Sequence, residues 1–107
     1  MIQLTSTQIK EKLEAKETFI LDFYADWCGP CKMMMRNIEM AEGLLKENNT
    51  KQVPIYKFDV ESDNQFAAQM GIRSIPTLKV VKEGEIIKTS TGVLQAAQFI
   101  QMNEELI

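Results

Sequence analysis

An almost unbroken apolar run, Thr18 to Ala25, leads straight into Cys28-Gly29-Pro30-Cys31. Such a run is expected of a strand buried on both sides, which needs a covering layer on each face. Gly29 and Pro30 suit a turn or a helix start and not the interior of an element. These are the only two cysteines in the chain. Two thiols this close pass between dithiol and disulfide with almost no backbone movement, so the pair reads first as redox chemistry.

Three other readings are weaker. As a staple, a bridge closing so short a loop contributes only about 2 kcal/mol, against roughly 3 for a fifteen-residue loop. Structural zinc takes four N or S ligands, and this chain offers two Cys and no His. No metal is therefore expected. Inert core thiols are hard to reconcile with the intervening Gly and Pro.

The 107 residues suit one domain spanning 1–107, with a core large enough to stand without staples. A hydrophobic share of 45% and a charged share of 25% are ordinary for a globular fold. The net charge is −3 and the 12 basic residues are scattered, so no nucleic-acid footprint is expected. No run approaches the ~20 apolar residues of a membrane span. Met1-Ile2-Gln3-Leu4-Thr5 shows no secretory leader, which points to the cytoplasm. In a reducing cytosol a CxxC is catalytic more often than structural.

Periodicity predicts helices over Thr7–Ala15, capped by Thr7, and over Cys31 to about Asn48, with Met34, Ile38, Ala41 and Leu45 on one stripe. Ile9 and Leu13 share a face of the first helix. A second buried strand is expected over Val53–Val60. A short helix follows, with caps at Ser62-Asp63-Asn64 and a stop at Gly71. Thr77–Val81 and Glu85–Ser90 read as strands joined across Lys82-Glu83-Gly84. A last helix over Gln95–Glu104 turns Phe99 and Ile100 inward. Helix crossovers imply parallel pairing early, and the tight turn implies antiparallel pairing late. The fold class is α/β, a mixed central sheet with helices on both faces.

The CxxC lies at the carboxyl end of a strand, where sites of open α/β sheets gather. It also lies at a helix N-terminus, whose dipole favours a thiolate. Cys28 precedes the helix and is assigned as nucleophile; Cys31, in the first turn and partly covered, is the resolving thiol. Pro30 carries neither an N–H nor a charge to stabilise the thiolate further, so the pair leans towards reducing its partners.

Asp22 interrupts the first strand and Lys57 the second. If buried, Asp22 has a raised pKa and is placed to take the proton of Cys31. If the strand is turned the other way, it faces water. Lys57 either offsets the buried carboxylate or is a solvated lysine at an edge. Trp27 either shields the sulfur within a contact surface or is an ordinary half-buried aromatic. Met33, Met34, Met35 and Met40 read as helix packing before a docking surface.

These residues closely resemble the thioredoxin family. The likeness runs through Asp22–Lys32, Lys57, Asp59-Val60, Gly71-Ile72-Arg73-Ser74-Ile75-Pro76-Thr77-Leu78, Gly84 and Gly92, over essentially the full length. It implies the thioredoxin fold, with about five strands and about four helices, and a monomer. It implies a protein disulfide reductase, with Gly29 and Pro30 tuning its potential. Pro76 would follow a cis bond beside the CxxC, and Ile75 would pair with an extended client. Trp27, Gly92 and Val93 would complete the apolar surface around Cys28. Asp22 and Lys57 would be the family's buried acid and its partner. No cofactor would be bound, electrons arriving from NADPH through a flavin-dependent thioredoxin reductase; the other partners would be proteins carrying disulfides. Tyr24, Arg36 and Ser74 depart from common family residues, where a second Trp, a kinking Pro and a Gly are frequent. A partner-holding module without redox turnover, or an oxidase or isomerase of secreted proteins, are the competing functions.

Overall fold

The computed structural model describes residues 1–107. The elements run β1 (Ile2–Gln3), α1 (Ser6–Glu14), β2 (Phe19–Tyr24), α2 (Gly29–Glu47), β3 (Ile55–Asp59), α3 (Asn64–Gln69), β4 (Thr77–Lys82), β5 (Glu85–Thr91) and α4 (Ala96–Leu106). They form one five-stranded sheet in the order β1-β3-β2-β4-β5. β3 pairs parallel with β1 and β2, while β4 pairs antiparallel with β2 and β5. The expected mixed sheet with helices on both faces is present.

β2 lies at the centre, and all six of its residues are buried. Alternation sends Phe19, Leu21 and Phe23 to one face, where they pack with Ile9 of α1 and Phe66 of α3. Ile20 lies on the other face, among Met34, Ile38 and Ala41 of α2 and Phe99 and Met102 of α4. Asp22 and Tyr24 share the Ile20 side by the same alternation. The predicted α2 stripe of Met34, Ile38, Ala41 and Leu45 is buried as a unit.

Several boundaries differ from the sequence expectation. β1 was absent from it: two residues carry no periodicity, and only their register on Tyr56 and Lys57 makes them a strand. The cap of α1 is Thr5, not Thr7; its Oγ1 accepts from the Gln8 N–H at 3.2 Å, and Gln8 returns a bond to the Thr5 N–H at 2.9 Å. α2 starts two residues earlier than expected, because the Cys28 side chain caps it. Of the expected second strand, Ile55 and Phe58 are buried while Tyr56, Lys57 and Asp59 are half-covered. In α4, Phe99 is buried as expected, but Ile100 is only half-buried, and Met102 and Asn103 complete the inner face. Asn103 is satisfied there: its Oδ1 accepts from the Val53 N–H at 2.7 Å and its Nδ2 donates to the Lys51 carbonyl at 2.9 Å.

The β4–β5 hairpin turns on Glu83 and Gly84, both with positive φ, the geometry that matches strand twist in a two-residue loop. A Cβ at Gly84 would sit 2.6 Å from the Leu13 carbonyl oxygen, so the turn presses on the end of α1 as only glycine allows.

Candidate active site

β2 ends at Tyr24, and after three intervening residues the chain reaches Cys28, the cap of α2. That junction brings the two cysteines together: Cys28 and Cys31 are bridged, with Cα atoms 5.2 Å apart. The Cys31 N–H donates to Cys28 Sγ at 3.2 Å. This is the helix-capping bond, with sulfur in the role that an oxygen usually fills. In the dithiol state the same N–H and the dipole of α2 favour a Cys28 thiolate. The predicted contrast in exposure is small: Cys28 is 4% and Cys31 0% exposed.

A second strand end meets the sulfurs. The Ile75–Pro76 peptide is cis, as the resemblance implied. The Ile75 carbonyl oxygen lies 3.9 Å from Cys28 Sγ; bridged sulfur has no proton to donate, so this is a contact. The turn ahead of Pro76 is closed by the Thr77 hydroxyl, which donates to the Ser74 carbonyl at 2.6 Å. Beyond the sheet, the Gly92 N–H donates to the Pro76 carbonyl at 2.9 Å. The Leu94 N–H meets Met34 Sδ at 3.2 Å, and Asn37 Nδ2 donates to the Leu94 carbonyl at 2.8 Å. α2 thus anchors the segment carrying Gly92, which is exposed, and Val93, which is half-buried.

Tyr24, Ala25, Cys28 and Cys31 form a small buried cluster, against which Met35, Val60 and Ile75 pack. Trp27 is not half-buried but 69% exposed, and with Val60, Ile72, Arg73, Ser74 and Ile75 it lines an apolar groove of about 280 Å³. The methionines divide: Met34 is core and Met35 lies against the sulfur cluster, while Met33 and Met40 are exposed. Gly29 and Pro30 are exposed beside the bridge. α2 continues unbroken through Arg36.

The structure selects the buried alternative for Asp22, which is 0% exposed. Neither carboxylate oxygen has a hydrogen-bond partner. Burial pushes its pKa up to about 7, the positive charge of Lys57 partly opposing the rise. Asp22 stands opposite Lys57 on β3 and Leu78 on β4. Lys57 does not close on it: the one ion pair in the molecule joins Lys12 and Glu17. The Lys57 ammonium instead lies 5.2 Å from the centroid of the Tyr24 ring. That placement was not legible in the sequence, where Tyr24 stood out only as a departure from the family pattern.

No three His, Cys, Asp or Glu side chains are grouped to hold a metal ion. No helix is long and apolar enough to cross a membrane.

The Thioredoxin family model matches residues 1–105. The chain is 41% identical over 80 residues to a thioredoxin of Bacillus subtilis, covering 74% of this chain and 73% of that protein. It is 39% identical over 87 residues to a thioredoxin of Haemophilus influenzae, covering 78% of each. Among solved structures, a chloroplastic thioredoxin z superposes with a TM-score of 0.80 over 99% of this chain and 93% of that one; at 23% identity this shows the shared fold. A variant thioredoxin of Halobacterium salinarum, 26% identical, gives 0.74 over 98% and 87%.

Proposed function

The chain belongs to the thioredoxin family of thiol–disulfide oxidoreductases, and on that premise we propose that Cys28 attacks and Cys31 resolves in the reduction of client protein disulfides. The observation that carries this assignment is the Cys31 N–H aimed at Cys28 Sγ at the head of α2. Of the two sulfurs, it is Cys28 that receives a hydrogen bond, and with it the stabilisation of negative charge.

The steps follow. The Cys28 thiolate attacks one sulfur of the client disulfide; the other client sulfur leaves as a thiolate and takes a proton from water. Asp22, as a carboxylate, accepts the Cys31 proton. The Cys31 thiolate attacks Cys28 Sγ and expels the second client sulfur. The client gains two electrons, and the protein is left with the Cys28–Cys31 bridge. Asp22 suits this task because a group titrating near neutrality can both take and return a proton. Lys57 moderates it: without a nearby cation the carboxylate would ionise only at higher pH. Gly29 and Pro30 add no charge beside the sulfurs, which keeps the dithiol reducing.

Clients bind as an extended segment along Ile75, before the cis-Pro76, with Trp27, Gly92 and Val93 supplying apolar contact. The bridge is reopened by a flavin-dependent thioredoxin reductase drawing on NADPH. The setting is the cytoplasm, and the protein acts as a monomer.

A Cys31→Ser variant added to cell extract should accumulate client proteins as mixed disulfides on Cys28. A Cys28→Ser variant should accumulate none. Equal trapping by both variants would reverse or abolish the assignment. Insulin reduction surviving the loss of both thiols would replace a redox carrier by a scaffold.

A further inference from the structure

Asp22, Tyr24 and Lys57 form an arrangement that the exchange steps leave unexplained. A buried carboxylate with no hydrogen bond stands directly across the sheet from a lysine, yet the two make no ion pair. The ammonium is instead above the ring of Tyr24. Such a contact is electrostatically attractive, and more so where the cation is partly desolvated. Tyr24 is itself held. Its hydroxyl donates to Gln3 Oε1 on β1 at 2.8 Å, its ring is packed into the sulfur cluster, and it is only 4% exposed. Burial first, then Asp59, Asp26 and Asp22, push its phenol above the usual range, so the ring stays uncharged.

We infer that Tyr24 is a positioning residue: its ring, held by its packing in the sulfur cluster, keeps the Lys57 ammonium where it acts on Asp22 through space without bonding to it. The consequence is specific. An ammonium free to close on Asp22 would form a buried, hydrogen-bonded pair, and the carboxyl would ionise well below neutrality. An ammonium lost to solvent would let it ionise above neutrality. Parked on the ring, it leaves Asp22 near 7.

The other elements facing Asp22 carry no competing charge. β4 presents Leu78 directly opposite, and the residues of α2 and α4 buried on the same face of the sheet, Met34, Ile38, Phe99 and Met102 among them, are uncharged. Asp59 and Asp26 lie by Tyr24 and not among the groups that shift Asp22. Lys57 is therefore the one cation whose position sets that titration, and Tyr24 is what the ammonium rests on.

The inference rests on the proton-accepting role of Asp22 only for its functional meaning, and its test does not read activity. The oxidised full-length protein, labelled with 13C at aspartate carboxyls, is titrated by NMR. Replacing the ring, as Tyr24→Leu, should lower the Asp22 midpoint by about one pH unit or more, because the released ammonium pairs with it. Tyr24→Phe and Tyr24→Trp, which keep a ring, should hold it near the wild-type value. In a Lys57→Met background, Tyr24→Leu should move the midpoint no further. A midpoint unmoved or raised by Tyr24→Leu overturns the inference. So does an equal fall in the Lys57→Met background, which would mean that solvent entry is the cause. Should Tyr24→Leu not fold, the wild type decides: the Lys57 Cε protons must show an upfield ring-current shift that vanishes on unfolding, and its absence overturns the inference. An Asp22→Asn variant with unchanged exchange rate would instead remove the proton-accepting role and leave the positioning of Lys57 intact.

Discussion

Two aspartates at opposite ends of the physical range lie on either side of the sheet. Asp22 is sealed under α2, accepts no hydrogen bond, and has its pKa raised to about 7 by burial. Asp63 caps α3 at the surface. Its Oδ1 accepts from the Phe66 N–H at 3.0 Å and its Oδ2 from the Ser6 hydroxyl at 2.8 Å. The Phe66 bond first, then the Ser6 bond, lower its pKa. The side chain is the same and the surroundings invert its acidity. Burial without donors makes a group that stores a proton, while donors without burial make a carboxylate that stays ionised to lower pH and holds a helix end. The fold keeps the first kind inside its central strand and the second where α1 meets α3.

The comparison is broken most severely by removing the acceptor. Asp22→Asn should slow insulin disulfide reduction near pH 7 by roughly a hundredfold, the lower range for losing a general base. The loss should lie in the resolving step, so mixed disulfides should accumulate during turnover. A rate within twofold of wild type would show that water takes the Cys31 proton unaided.

Stability gives the next largest effect, and its sign follows from the direction of the shift. The folded pKa of Asp22, about 7, is above its ordinary value of 3.8. The folded state therefore binds that proton more tightly than the unfolded chain does. Its contribution is greatest below the ordinary value, declines as pH rises from there towards about 7, and then stays level. About three pH units at roughly 1.4 kcal/mol each give on the order of 4 kcal/mol. Asn does not titrate, so urea unfolding should show Asp22→Asn gaining on the wild type by about that amount between acid and mildly alkaline pH. A constant difference across the range would mean that Asp22 is not desolvated.

Asp63 provides the opposite slope. Its folded pKa is lowered, so its contribution is present above the ordinary carboxylate value and fades as pH falls through the folded one. Asp63→Ala should lower Tm at pH 7, lower it less in acid, and leave the reduction rate unchanged. The smallest effect should come from Thr5→Ala, about 1 kcal/mol of the capping box of α1 and no change in reduction rate. A changed rate in either cap variant would couple the far face of the sheet to the sulfurs.

Much of this is legible in the amino-acid sequence, and the places where it is not are informative. The stripe Met34, Ile38, Ala41 and Leu45 named the inner face of α2, because helical periodicity is a local property of the chain. The turn at Glu83 and Gly84 was legible for the same reason, since turn chemistry resides in adjacent residues. The pattern carried no trace of β1, whose two residues owe their state to β3. It left Asp22 open between core and solvent, because an acid in an apolar run is compatible with either.

By itself, then, the sequence determined the alternation of strands and helices, the sulfur pair at a strand-to-helix junction and the family likeness. The first two rest on neighbours along the chain, and the third on motifs read directly from its residues. Only the tertiary structure decided that Asp22 is sealed without a donor, that Lys57 rests on Tyr24, and that Asn103 is satisfied by the 51–53 segment. Those outcomes depend on which residues meet across distances in sequence of tens of positions. The competition there, between an ion pair and a cation over a ring, is settled by packing and not by composition.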